Sequence, residues 1–283
     1  MAASGAWREI ADSVWVTLCP PFLLNVGLIV GPRRALVIDT GESLATGREL
    51  ATLVREVTHL PLGAVNTHCH FDHCFGNGAF DSAQVWCHRL CAEHLQKEGE
   101  EQRREVAARI ATTDRDLAER IRQSPIIAPT RLIDDQLQLD LGGRIVTLVH
   151  PGRGHTDNDV VVWVDDARVL FAGDLVEEGA PPSFEESFPL EWPATLGVLL
   201  AMDADQIIPG HGLVVDVNFT RQLKDDLLQL ANLSRQGFES SRRPADIAPQ
   251  SPFPGNPGQT AIRRAYGQLA QAAAELREER KSD

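Results

Sequence analysis

His68-Cys69-His70-Phe71-Asp72-His73 places four metal-ligating side chains in six positions. With nine histidines in 283 residues, a chance His-x-His-x-Asp-His should occur in roughly one such chain in 1,500. A bound ion is the better reading. Imidazole nitrogens and a carboxylate oxygen suit zinc, and also iron or manganese. No paired-cysteine spacing accompanies them, which argues against a structural thiolate site.

Reading outward, Gly154-His155-Thr156, Phe171-Ala172-Gly173-Asp174 and Pro209-Gly210-His211-Gly212 each follow a short apolar run and so read as strand ends. Seven candidate ligands then lie on four loops, where a rigid sheet can gather groups distant in sequence. Alternate residues of an extended segment share a face, so His68 and His70 can grip one ion while Asp72 and His73 turn toward a second. His155 would complete the first site and His211 the second. Asp174 has two carboxylate oxygens and can bridge both ions, leaving room for a shared water, the open position of a catalytic site. Two metals so placed would make a bridging hydroxide the nucleophile, with Asp72 or Asp174 passing the proton on.

In this order, the His-x-His-x-Asp-His segment, Gly-His155-Thr, Gly-Asp174 and Pro-Gly-His211-Gly resemble the metal-binding motifs of the metallo-β-lactamase superfamily. The resemblance covers about residues 14 to 215 and is specific as a set. It implies an α/β fold, the four-layer αββα sandwich of that superfamily, here with a helical insertion and a helical C-terminal tail. It implies two Zn2+ ions per chain divided among the seven ligands as above. It also implies that Asp39, in Val37-Ile38-Asp39-Thr40-Gly41, supports the metal loop without binding metal.

Composition narrows the partners. The net charge of −13 disfavours general binding to nucleic acid or to anionic membrane surfaces, which leaves a small-molecule substrate; the sequence does not fix an oligomeric state. Neither a charged leader with an apolar stretch nor a run of about 18 apolar residues is visible, so a cytoplasmic protein is the default. Cys19, Cys69, Cys74, Cys87 and Cys91 are odd in number and show no secreted disulfide pattern, so reduced thiols are expected. Cys87-His88-x-x-Cys91-x-x-His94 reads as a strand running into a helix rather than as a second zinc site, and His150 as a residue that could line the pocket.

Strands are expected at 14–18, 27–30, 35–39, 64–67, 84–87, 136–141, 144–149, 160–164 and 168–171, with Gly142-Gly143 and Asp165-Asp166 as turns. Helical spacing appears at 50–57, 192–202, 220–233 and in the last segment, which carries Ile262, Tyr266, Leu269, Ala273 and Leu276. The charged stretch 98–123 reads as an inserted helical pair, either a solvated surface element or a lid. Two units are expected: residues 1–240 as the catalytic domain with this insertion, and 241–283 as a linker with five prolines and a last helix. Phe184, Phe188 and Trp192, on the loop after Asp174, are candidates for pocket walls.

The expected function is a dinuclear zinc hydrolase of an ester, thioester or other acyl bond. The resemblance to thioesterases of the hydroxyacylglutathione type includes all seven ligands but not their basic substrate motif, of which Arg221-x-x-Lys224 is an echo in a different place. Asp174 stands where true β-lactamases usually have Ser or Cys. A lactam or lactone hydrolase of β-lactamase type is one alternative. The other is a persulfide (sulfur) dioxygenase with one iron at the positions of His68, His155 and Asp174.

Overall fold

The computed structural model describes residues 5–80 and 84–282; the outermost bounds of the two expected units, residues 1 and 283, lie outside them. The first half of the chain gives β1 (Arg8–Ala11), β2 (Val14–Cys19), β3 (Leu24–Val30) and β4 (Ala35–Ile38), then α1 (Leu44–Val57), β5 (Leu62–Val65), α2 (Phe71–Cys74) and β6 (Val85–His88). Three further helices, α3 (Arg89–Lys97), α4 (Gly99–Ile110) and α5 (Arg115–Gln123), precede β7 (Arg131–Ile133). The second half holds β8 (Gln136–Asp140), β9 (Ile145–Val149), β10 (Val161–Val164), β11 (Val169–Glu177), α6 (Trp192–Ala201) and β12 (Gln206–His211). It closes with α7 (Val217–Glu239), α8 (Pro244–Ile247) and α9 (Asn256–Ser282).

Hydrogen bonding orders the strands β7-β6-β5-β4-β3 and β12-β11-β10-β9-β8, with β2 and then β1 added on β3. Among the described residues the halves share one strand pairing, His211 with Leu24. In the first half β1–β2, β2–β3 and β3–β4 are antiparallel and β4–β5, β5–β6 and β6–β7 parallel; in the second, β8 to β11 pair antiparallel and β11–β12 is parallel. The parallel pairs are joined by helical crossovers, α1 between β4 and β5, α3 to α5 between β6 and β7, and α6 between β11 and β12.

Period-two burial makes the layers. In β4, Leu36 and Ile38 face the centre together with Ile29, Val65, Val162, Val164, Val169 and Phe171, residues from both half-sheets. Ala35 and Val37 point outward, onto Leu50 and Val54 of α1. On the other side Val161, Leu170 and Ala172 meet Trp192, Leu196, Leu223, Leu227 and Ile262 of the C-terminal helices. The result is helix, sheet, sheet, helix. Each fully buried Leu or Val contributes about 1.5–3 kcal/mol, so the central layer and the helical layers on either side all stabilise the fold. Gly27 lets the half-sheets close: a Cβ there would stand 2.4 Å from the Phe171 ring.

Three differences from the sequence reading have physical causes. The strand expected to stop at Phe171 continues to Glu177, because Gly173, at φ +54, absorbs a register shift against β12 without ending the pairing. The proline-bearing stretch 244–257 is folded: Pro244 opens α8, Pro257 lies in the first turn of α9, and Ile247 and Phe253 are buried in the helical layer. Short β1 and β7 lacked a sequence signal, whereas β6 running into α3 is the strand and helix expected at Cys87 to His94. The inserted helices match expectation, with Val106, Ile110, Leu117 and Ile121 buried beside Phe71, Phe75 and the thiols of Cys87 and Cys91.

A candidate metal centre at the seam of the two half-sheets

After β5 the chain bends at residues 67–69, and His70, with φ −71 and ψ 149, leads into the single helical turn α2. His68 therefore projects from the bend, His70 from extended backbone, and Asp72 and His73 from helical backbone. The loop between β9 and β10 brings His155, β11 carries Asp174, and β12 ends on His211. Two groups result, His68 with His70, His155 and Asp174, and Asp72 with His73 and His211, the ligand atoms within each lying within 4.8 Å of one another.

The contacts are those of nitrogens facing a common point. His70 Nδ1 is 2.9 Å from Nε2 of both His68 and His155, and Nε2 of His73 is 3.3 Å from Nε2 of His211. The Asp174 carboxylate reaches His68, His73, His155 and His211 at 3.7, 3.3, 3.5 and 3.4 Å. Ligands of one tetrahedral zinc stand about 3.3 Å apart. Asp174 Oδ1 is buried with no hydrogen-bond partner, a costly state that an ion would relieve. The donor set fits such a cation.

Backbone and supporting side chains fix these positions. Gly210 is obligatory, since a Cβ there would lie 1.8 Å from Asp174 Oδ1. Asp39, itself at φ +61, accepts from Thr67 N at 2.8 Å and pairs with His73 Nδ1 at 2.8 Å, leaving Nε2 to face the cluster. His211 Nδ1 donates to the Phe22 carbonyl at 2.8 Å, with the same effect. The Asn25 amide donates to Pro209 O and Gly212 O, and Asn66 and Asn77 hold the His73 loop. This amide network was not legible in the sequence, because isolated asparagines carry no spacing signal.

Charge divides unevenly in the cluster. Burial drives the His155 imidazole down to about 3 and holds His68 well below the ordinary histidine range. Burial opposes protonation of His211 too, yet the Asp174 and Asp72 carboxylates hold it up at about 10. Burial would raise Asp174, but the surrounding imidazoles keep it well below the carboxylate range. The carboxylates thus demand positive charge in the centre.

A cavity of about 430 Å3 opens over both groups, lined by His70, Asp72, His155, Asp174 and His211, by Glu177, Ser183, Glu185 and Glu186 of the segment that follows Asp174, and by Gln102, Glu105, Val106 and Arg109 of α4. One wall is therefore the inserted helix. The aromatic candidates lie elsewhere: Phe184 and Trp192 are buried in the helical layer, and Phe188 is covered by the guanidinium groups of Arg153 and Arg264. They are bulky apolar groups close to a core with room for them. His150 stacks on His88 at 4.2 Å and is not among the lining residues. His88 caps α3, and Cys87 and Cys91 are core. All five cysteines are buried and unpaired.

Comparison with known proteins agrees with this geometry. The family model described as metallo-β-lactamase superfamily matches residues 19–211. Among characterised sequences, the chain is 28% identical to an acyl-coenzyme A thioesterase, MBLAC2, of Gallus gallus, over 66% of this chain and 72% of that one. It is 25% identical to a linear primary-alkylsulfatase of Pseudomonas sp., but spans only 40% of that enzyme's length. It is 23% identical to a metallo-β-lactamase type 2 of Bacillus sp., over 67% of each. The solved structure of TMB-1 superposes with a TM-score of 0.62 at 20% identity, covering 81% of this chain and 99% of that one, and shares the fold.

Proposed function

The chain belongs to the metallo-β-lactamase superfamily, and on that premise we propose that it is a dinuclear zinc hydrolase acting on an ester, thioester or other acyl bond of a small molecule. The observation that carries the reading is the seam itself, where five histidines and two aspartates from four separate loops and strands converge in two groups around a buried carboxylate oxygen that has no hydrogen bond. His68, His70 and His155 would hold one ion, Asp72, His73 and His211 the other, with Asp174 shared. Bound zinc supplies Lewis acidity and brings the pKa of a water toward neutrality.

The chain's own groups do the rest. Asp39 and the Phe22 carbonyl orient two imidazoles so that their lone pairs face inward. Asp72 lines the cavity and stands 3.4 Å from His211, so its carboxylate can carry a proton toward the leaving group. The relatives include a thioesterase and β-lactamases, both acyl-bond hydrolases. Five unpaired thiols support residence in a reducing compartment, the cytoplasm.

The test combines metal analysis with a substrate panel of thioesters, lactones, phosphodiesters and persulfides. Hydrolysis of an acyl substrate by protein carrying two zinc ions, lost together with bound metal in Asp72→Ala, is the expected result. Iron content with persulfide oxidation, or full activity in Asp72→Ala, would overturn the reading.

A further inference from the structure

The cavity wall carries charge that the metal centre does not use. Glu105 on α4, and Glu185 and Glu186 on the segment following β11, line the cavity, and beyond the histidines of the metal centre Arg109 is the one basic side chain among its lining residues. Glu177, which accepts from Ser183 N at 2.9 Å beside the metal centre, is left out of this balance. Three carboxylates therefore face one guanidinium. Glu105 and Arg109 lie one turn apart on α4, yet among the described residues no ion pair joins them. Glu186 stands 3.5 Å from His70 Nε2, and Glu185 accepts from the Ser183 hydroxyl at 2.7 Å. Neither contact brings in a permanent positive charge.

That this cavity takes a ligand follows from the candidate metal centre on its floor, where Asp174, 5% exposed, lines the cavity and has an oxygen without a hydrogen-bond partner. Resting on the proposed hydrolase reading, we propose that the substrate carries a positively charged group, an ammonium or quaternary ammonium, on the part remote from the bond that is cleaved. The metal centre would hold the acyl end. Beyond it, a cation meets an attractive wall and a phosphate or sulfonate a repulsive one, because a cleft lined by one sign of charge concentrates ligands of the other. The volume of about 430 Å3 restricts the enclosed portion to a small molecule.

The test uses binding, so it does not depend on turnover. Zinc-loaded protein is titrated with three thiols that share a metal-seeking sulfur and differ in the other end: thiocholine, 3,3-dimethylbutane-1-thiol and 2-mercaptoethanesulfonate. Each affinity is compared between the wild type and Glu105→Gln/Glu185→Gln, which cancels differences among the thiols themselves. Removing the two charges should weaken thiocholine binding about threefold to tenfold at low salt, tighten the sulfonate by a similar factor and leave the neutral thiol unchanged, with all shifts shrinking in 0.5 M salt. Equal shifts for all three, no shift, or no binding of thiocholine would overturn the proposal. Opposite shifts in a protein that hydrolyses no acyl substrate would uphold the charge preference while refuting the hydrolase reading.

Discussion

At the scale of single residues, the candidate centre depends on groups that bind nothing themselves. Gly210→Ala would drive a methyl group into the Asp174 carboxylate, and we expect zinc affinity measured by chelator competition to fall at least about tenfold, with the far-ultraviolet circular dichroism unchanged. Asp39→Asn replaces the acceptor that orients His73 and should cost about 10–100-fold in metal affinity; an unchanged affinity would remove Asp39 from the account. Asp159 offers a pH test. Burial pushes its carboxyl up to about 7, against hydrogen bonds from Thr156. Its folded pKa lies above the unfolded one, so the folded state binds the extra proton and stability is lost as pH rises from about 4 to about 7. In Asp159→Asn, urea unfolding of metal-free protein should show a flatter stability profile across that window. The ligand motif was legible because His-x-His-x-Asp-His is dense and compositionally rare. Thr67, Asn25, Asn66 and Asn77 were not, since their roles exist only after β3, β5 and β12 have come together.

Elements were legible where periodicity was strong and obscure where tertiary context chose. Buried strands such as β3 and β10 announce themselves by continuous apolar runs, and α5 by Leu117, Ala118 and Ile121 on one face. β11 outruns its apolar signal because Asp174 and Glu177 are polar residues that a strand tolerates only beside a cavity. The proline-bearing tail looked like a linker, since proline reads as a breaker; in the structure the prolines start helical turns, and the intervening Ile247 and Phe253 fill the layer. The inserted helices share a small core with α2, β6 and α3 under the cavity wall. Ile121→Ala should therefore destabilise the protein by about 2–5 kcal/mol in urea unfolding, while the intact α2 turn keeps its metal. A loss below about 0.5 kcal/mol would mean that the insertion is not coupled to the domain.

For the molecule as a whole, function sits where the architecture is least continuous. Among the described residues the two half-sheets share a buried apolar interior but only one strand pairing, His211 with Leu24, and the seven side chains gather at that seam from both halves. An ion held there would bind the folded state alone, so adding zinc should raise the melting temperature and a strong chelator should lower it. The layered fold was readable from the resemblance carried by four motifs and from alternating burial. The acidic loop from Glu177 to Pro189 was readable as a segment that shapes the pocket, but not the part of Glu105, because only the folded position of α4 brings it to the cavity. The central claim is that two cations share Asp174. Anomalous diffraction at the zinc edge from crystals of zinc-loaded protein tests it most directly: the account predicts two peaks, one among His68, His70 and His155 and one among Asp72, His73 and His211, both in contact with the Asp174 carboxylate. A single peak, or none at these side chains, would contradict it.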